Sequence, residues 1–172
     1  MKDVNIHEGI DSTLLILQHR LKARSENKGI EIIKEYGNLP LVDCYAGQLN
    51  QVFMNVISNA IDALDNYQLP ESETARNLHI TINTRVGEVN NIKTAIITIA
   101  DNGQGMPENL VSRVFDPFFT TKPIGKGTGL GLSISYQIVV EKHSGILKCN
   151  SQPGIGTEFW IEIPIRQIIK EA

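Results

Sequence analysis

The chain has 172 residues, of which 41% are hydrophobic, and a formal net charge of −3. This length favours one domain with a substantial core, and the small negative charge does not indicate nucleic-acid binding through a basic surface. No apolar run approaches the ~20 residues of a bilayer-spanning helix, and no signal peptide is evident. We therefore expect residues 1–172 to form one cytoplasmic domain without direct membrane contact, which could be part of a longer protein. We expect Cys44 and Cys149 to be reduced thiols.

Helices and strands are mixed along the chain. The helix over 45–66 carries the clearest apolar face, and the helix over 9–23 carries a similar stripe, with Asp11 or Ser12 as its cap. The predicted elements are, in order, a helix over 9–23, a strand over 30–36, a helix over 45–66, a loop over 67–77, strands over 79–86 and 92–100 joined by a turn, helices over 107–114 and 132–143, a hairpin of strands 146–150 and 157–165, and a tail over 166–172. Two antiparallel hairpins without regular βαβ alternation favour an α+β fold, a two-layer sandwich with helices packed on one face of a mixed sheet.

Polar side chains at the edge of the helix over 45–66 form the first candidate site. Asn55 and Asn59 are four residues apart, so their amides point the same way, and Asp62 follows near the same edge. Mg²⁺ prefers oxygen ligands and often shares them with substrate phosphates, so two amide oxygens at this spacing can supply part of its shell. The simpler alternative is that these residues only solvate or cap the helix.

Two glycine-containing segments predict a nucleotide site. Asp101 follows an apolar strand and precedes Gly103 and Gly105, which suits a hydrogen bond to a flat polar ligand but also fits an ordinary turn. Residues 125–131 contain four glycines and lead into the helix over 132–143, whose first N–H groups would attract phosphate; a flexible surface loop is the alternative. Neither the P-loop nor the dinucleotide fingerprint is matched. We predict one subsite for a base, one for phosphates and a lid over 102–128.

Three phenylalanines lie between these segments, within residues 115–119. Exposed phenylalanines have no solvation reason to occupy a loop, so these residues would anchor the lid, dock a partner or pack in the core. Lys122 and the neighbouring Thr120 and Thr121 are placed to contact phosphates.

Taken in this order, these segments resemble the ATP-binding catalytic domain of sensor histidine kinases. That domain belongs to the GHKL superfamily, which includes DNA gyrase, heat-shock chaperone and mismatch-repair ATPases. The resemblance covers roughly residues 10–165. Its motifs are the N box at 55–63, the first glycine box at 101–105, the F box at 115–119, the second glycine box at 125–131 and a closing glycine-threonine block at 154–159.

The resemblance implies roles for the matching residues. Asp101 would accept a hydrogen bond from the adenine amino group, with Gly105 and Thr157 beside the same base. Asn59, together with Asn55, would hold Mg²⁺ against the triphosphate of ATP. The backbone N–H groups that would bind phosphates belong to Gly127, Gly129, Leu130 and Gly131, and Lys122 would lie near the γ-phosphate. The nucleotide-binding set is completed by Asp62, Gly103, Met106, Phe119, Thr121 and Thr128.

The resemblance also implies a reaction and partners. In the ATPase branches, a glutamate four residues before the N-box asparagine activates water. Here Asn55 occupies that position, and an amide is no general base. This favours transfer of the γ-phosphate to a histidine on a separate dimerisation domain, with a response regulator downstream. Asn55 is the one residue considered for a catalytic role. A stand-alone ATPase and a degenerate nucleotide-binding interaction module are the alternatives.

The four histidines are not expected to accept the phosphate. His7 precedes a glutamate, but no pair of dimerisation helices surrounds it. His19, His79 and His143 are predicted to be structural or surface residues. We therefore expect the dimerisation and phosphoacceptor domain to be absent from this chain.

Overall fold

The computed structural model describes residues 1–22, 29–65, 67, 77–120 and 129–167. Its elements are β1 (Lys2–Val4), α1 (Ile6–Lys22), β2 (Glu31–Tyr36), β3 (Val42–Cys44), α2 (Ala46–Asp65), β4 (His79–Val89), β5 (Ile92–Asp101), α3 (Glu108–Val111), α4 (Gly131–Tyr136), a π-helical turn (Gln137–Lys142), β6 (Ile146–Gln152) and β7 (Gly156–Pro164). A five-stranded sheet in the order β2-β4-β5-β7-β6 carries the helices on one face, which confirms the α+β prediction. Within the described ranges, no helix is both long and apolar enough to cross a membrane.

The two long helices bury the stripes that the sequence predicts. α1 begins at Ile6, earlier than predicted, because Asn5 caps it: the side-chain oxygen of Asn5 accepts the backbone N–H of His7 at 3.0 Å. The predicted caps Asp11 and Ser12 are wrong, since both lie inside the helix. The buried residues of α2 recur every three or four positions: Leu49, Val52, Phe53, Val56, Ile57, Ala60, Ile61 and Leu64.

The sheet is mixed because β2 pairs parallel with β4, whereas the other neighbouring strands are antiparallel. β4 and β5 form the first predicted hairpin, and its turn contains only Asn90 and Asn91. Their φ angles are 51° and 65°, as a two-residue type I′ turn requires. The strands therefore extend further than the sequence predicts.

A second, smaller sheet was not predicted. β1 pairs antiparallel with β3, with Lys2 opposite Cys44. Each of these strands has three residues, which is too short for an alternating pattern to stand out. Cys44 is buried and Cys149 is half-buried, and both are free thiols, as predicted.

The predicted helix over 132–143 is helical, but it changes from α to π geometry after Tyr136. His143 follows this turn and is fully buried. Its Nδ1 bonds the carbonyl of Ile138 at 2.8 Å, and its Nε2 accepts the N–H of Tyr45 at 3.1 Å. These partners select the neutral ring, and burial lowers the pKa of His143. His143 is therefore structural, as predicted.

Candidate functional site

The predicted base subsite lies at one end of the sheet. Asp101 of β5 stands opposite Ile80 of β4 and Thr157 of β7, and Thr157 stands opposite Ser151 of β6. These side chains form one row, which faces the helices because Ile80 belongs to the core. Asp101 and Thr157 are each 8% exposed. The backbone N–H of Met106 donates to the Ser151 hydroxyl at 2.8 Å, which attaches the segment after Asp101 to this row.

The Asp101 carboxylate is buried, and backbone hydrogen bonds replace only part of its hydration. Its Oδ1 accepts the backbone N–H of Gly103 at 2.9 Å. Burial raises the pKa of Asp101 to about 6, although the backbone N–H groups of Gly103 and Thr157 act in the opposite direction. An ionised carboxylate only accepts hydrogen bonds, so a ligand that donates one would offset part of the desolvation penalty. This end of the site is therefore suited to a donor group.

Two glycines allow the backbone to close around Asp101. Gly105 has φ +73°, and a Cβ at this position would lie 2.0 Å from the carbonyl oxygen of Gln152. Gly156 has φ +140°, and a Cβ there would lie 2.0 Å from the carbonyl oxygen of Asp101. Both positions require glycine, since a side chain would meet backbone atoms that cannot move aside.

The side-chain amide of Asn55 has a defined orientation. Its Nδ2 donates to the carbonyl of Gly131 at 2.9 Å and to the hydroxyl of Ser135 at 3.1 Å. Ser135 gives its own proton to the same carbonyl at 2.9 Å, so both partners of Asn55 are acceptors. The amide oxygen of Asn55 is thus left as an acceptor, and Asn59 is half-buried one turn further along α2.

Amide oxygens, not an acidic cluster, are the candidate metal ligands among the described residues. The described parts of the chain contain no group of three or more His, Cys, Asp and Glu residues that could hold a metal ion. Mg²⁺ accepts amide oxygens and usually completes its shell with water and substrate phosphates. The amide oxygen of Asn55 is compatible with this chemistry, and the assignment of Asn55 and Asn59 as the residues that would hold Mg²⁺ stays a prediction.

Helix α2 borders both glycine segments. A Cβ on Gly103 would lie 3.4 Å from Cδ2 of Leu64, and a Cβ on Gly131 would lie 3.5 Å from the amide carbon of Asn55. At 1.5 Å per residue, these two contacts on α2 are about 13 Å apart along the helix. The segments predicted to form the base and phosphate subsites therefore border one helix.

Asp62 is placed differently from the other predicted residues. Its Oδ1 accepts a hydrogen bond from Arg20 Nη2 of α1 at 2.5 Å, and the same guanidinium reaches Asp65 at 3.2 Å. The structure thus pairs Asp62 with α1, and its predicted contact with the nucleotide stays a prediction.

The predicted aromatic segment is divided between core and surface. Phe115 packs against Tyr136 and Phe159, with ring centroids 5.6 Å and 6.3 Å away. Phe119 is half-buried, with the Arg113 guanidinium 4.9 Å from its ring centroid. Phe115 therefore anchors the segment to the core.

Phe118 and Gly129 are separated by ten residues in the sequence, but their backbones lie next to each other. Phe118 is 73% exposed, with φ 64°. Gly129 has φ +70°, and a Cβ there would lie 2.3 Å from the carbonyl carbon of Phe118. The carbonyl of Leu130 then accepts the N–H of Ile134 at 2.9 Å in the first turn of α4. The rest of the predicted lid and phosphate segment lies outside the described residues, including Thr121, Lys122, Gly127 and Thr128.

Two serines of the site were not predicted. Ser135 follows Gly131 by four residues, so helical spacing places it on the same side of α4. Ser151 lies one residue beyond the predicted strand 146–150. Extending the last hairpin by one pair would have placed it opposite Thr157.

Comparison with known proteins assigns this chain to a family. The family described as "Histidine kinase-, DNA gyrase B-, and HSP90-like ATPase" matches residues 45–167. Sporulation kinase E of Bacillus subtilis is 36% identical over 134 residues, which cover 78% of this chain and 16% of that protein. Sensor kinase CckA of Brucella abortus is 35% identical over 167 residues, which cover 91% of this chain and 17% of that protein. The chain spans 16% to 39% of the length of the curated relatives it matches.

Solved structures agree with these relatives. The nucleotide-free catalytic domain of histidine kinase ThkA has a TM-score of 0.75 and 27% identity, covering 95% of this chain and 94% of that one. The mycobacterial sensor histidine kinase MprB has a TM-score of 0.72 and 26% identity, covering 97% of this chain and 99% of that one. Both similarities extend over almost the whole of this chain.

Proposed function

Because this chain belongs to the family of histidine kinase-, DNA gyrase B- and HSP90-like ATPases, we propose that it is the cytoplasmic catalytic domain of a sensor histidine kinase. It binds Mg-ATP and donates the γ-phosphate to a histidine on a separate dimerisation domain, from which a response regulator is phosphorylated. The observation that carries this proposal is the position of α2, which borders Gly103 at one end of the site and bonds the carbonyl of Gly131 at the other.

At the base end, Asp101 accepts a hydrogen bond from the amino group of adenine. Burial of the carboxylate supports this role, since the bond replaces solvation that folding removed. Gly105 leaves the backbone close to the base, and Thr157 lies beside Asp101 in the sheet. These residues thus favour a flat ring whose edge donates hydrogen bonds.

At the phosphate end, Asn55 and Asn59 offer amide oxygens to Mg²⁺, which neutralises charge on the triphosphate. Gly129, Leu130 and Gly131 lie at the start of α4, where the Gly131 carbonyl accepts the Asn55 amide of α2, and their backbone N–H groups are proposed to bind phosphates. Gly127, Thr128, Thr121 and Lys122 are proposed to complete this subsite from the lid.

The N box carries an amide, Asn55, at the position where a glutamate would be the general base. Asn55 donates both amide hydrogens to α4 and cannot remove a proton from water. Phosphoryl transfer depends mainly on positioning and charge stabilisation, so this domain can hold the donor while the acceptor histidine is brought to it. Transfer is therefore favoured over hydrolysis.

The base subsite is tested by titrating the chain with a fluorescent ATP analogue and Mg²⁺. Asp101→Asn should weaken binding by about tenfold or more, the usual effect of losing a hydrogen bond to a charged group. The matched control is Asp3→Asn, the same change at an exposed carboxylate of β1. Equal affinities of wild type and Asp101→Asn would contradict the adenine role.

The reaction is tested by mixing the chain with radiolabelled Mg-ATP and the histidine-bearing dimerisation domain of its parent protein. We expect acid-labile, base-stable label on that domain and little release of inorganic phosphate by the chain alone. Rapid steady-state phosphate release would favour a stand-alone ATPase. Failure to bind adenine nucleotides with Mg²⁺ would favour a degenerate interaction module.

A further inference from the structure

The hydroxyl of Ser151 has three hydrogen-bond partners in the base subsite. It lies 2.8 Å from the backbone nitrogen of Met106, 3.0 Å from the carbonyl oxygen of Gly156 and 2.8 Å from the hydroxyl oxygen of Thr157. These partners come from the segment after Asp101 and from the first residues of β7. No element of the proposed function assigns a role to Ser151.

The three contacts have one consistent set of donors and acceptors. A serine hydroxyl has one proton and two lone pairs. The N–H of Met106 must donate to it, and the carbonyl of Gly156 must accept its only proton. The remaining lone pair therefore accepts the proton of Thr157. As a result, the hydroxyl oxygen of Thr157 has given away its proton and offers only lone pairs to a ligand.

Asp101 reinforces this polarity. Its carboxylate already accepts the N–H of Gly103, and an ionised carboxylate has no proton to donate. Asp101 and Thr157 face each other in the ladder between β5 and β7, so two acceptors lie side by side. A ligand edge that donates two hydrogens, directly or through water, satisfies both, whereas a carbonyl oxygen at the same position would face lone pairs.

We propose that Ser151 is a positioning residue that fixes the Thr157 hydroxyl as an acceptor and thereby makes the site discriminate a 6-amino purine from a 6-keto purine. The inference rests on the proposed function, since it assumes that a purine nucleotide occupies this subsite. It adds two things to that function: the residue that sets the preference for a 6-amino purine, and the donor and acceptor of each hydrogen bond of Ser151. Without Ser151, the Thr157 hydroxyl could turn its proton toward the ligand and accommodate a keto oxygen.

The test compares ATP with inosine triphosphate, which carries a keto oxygen in place of the amino group. The dissociation constants of both are measured with Mg²⁺ on the 172-residue chain. Wild type should prefer ATP by at least about tenfold, and Ser151→Ala should reduce that preference about tenfold. Ser151→Thr, which retains a hydroxyl, should keep it. Loss of the Met106 contact alone would weaken both nucleotides equally and leave the ratio unchanged.

A double-mutant cycle shows whether Ser151 acts through Thr157. In a Thr157→Val background, Ser151→Ala should leave the ratio of the two dissociation constants unchanged, because the hydroxyl it orients is gone. If Ser151→Ala does not fold, Ser151→Cys, a weaker acceptor of similar shape, should show a smaller reduction of the preference.

The outcomes separate the two proposals. A wild-type chain that binds neither nucleotide contradicts the proposed function itself. A wild-type chain that binds ATP but does not prefer it, or a preference that survives Ser151→Ala or Ser151→Cys unchanged, overturns the inference about Ser151 alone.

Discussion

Replacing Asp101 by asparagine should change the pH dependence of stability of the free domain. The pKa of Asp101 is raised by burial to about 6, compared with about 3.9 in an unfolded chain. The folded state therefore holds this proton more tightly than the unfolded state. The contribution of Asp101 to stability is fully present below the unfolded pKa and is lost as the pH rises through the folded pKa.

The pKa difference corresponds to about 3 kcal/mol of unfolding free energy lost between acidic and neutral pH. Asparagine is neutral and of similar shape, so it avoids this loss. Its amide nitrogen replaces one of the two acceptors for the N–H groups of Gly103 and Thr157, which offsets part of the gain. We expect Asp101→Asn to be about 1–2 kcal/mol more stable than wild type at neutral pH.

Urea unfolding of both proteins at several pH values measures this effect. The free energy of unfolding of Asp101→Asn, relative to that of wild type, should increase by up to about 3 kcal/mol from pH 4 to pH 7.5. The exposed control Asp3→Asn should show no comparable shift. A difference that stays constant with pH, whatever its sign, would refute the assignment of a buried, destabilising carboxylate at this position.

Further substitutions test individual parts of the site. Gly105→Ala should destabilise the domain by about 3 kcal/mol or more and abolish nucleotide binding, because its Cβ would lie 2.0 Å from a backbone carbonyl oxygen. The control Gly154→Ala, at φ +80° in open space, should cost only about 1 kcal/mol, and thermal unfolding measures both. Asn55→Ala should weaken ATP binding about tenfold with Mg²⁺ and less without it, which calorimetric titration with and without a chelator would measure. Arg20→Ala should lower stability by less than about 1 kcal/mol and leave ATP affinity within about twofold, since the ion pairs of Arg20 with Asp62 and Asp65 are partly exposed. A large loss of affinity would instead support a nucleotide contact by Asp62.

The sequence predicts those parts of the fold that local periodicity determines. The apolar face of α2 and the strands of the first hairpin repeat over many residues, so their predicted limits are nearly correct. The pairing of β1 with β3 and the start of α1 depend on contacts between distant segments. Asn5 is recognisable as a cap only for a helix that begins at Ile6.

The site also contains residues that the sequence identifies and residues that only the fold identifies. Asp101 and Asn55 belong to motifs whose residue types and spacing indicate chemistry by themselves. The role of Ser151 depends on the register of the last hairpin, which fixes its neighbour Thr157. The ion pair of Asp62 depends on how α1 packs beside α2, which periodicity does not reveal.

The central claim is that one Mg-ATP molecule spans the site from Thr157 and Gly103 to Asn55. A nuclear magnetic resonance titration of the isotope-labelled chain with ATP, repeated with Mn²⁺ in place of Mg²⁺, tests it most directly. We predict that the amide signals of Gly103 and Thr157 shift along one saturation curve, and that Mn²⁺ broadens the side-chain amide signals of Asn55 and Asn59 at the same ATP concentrations. Broadening centred elsewhere, or two sets of signals that saturate independently, would contradict it.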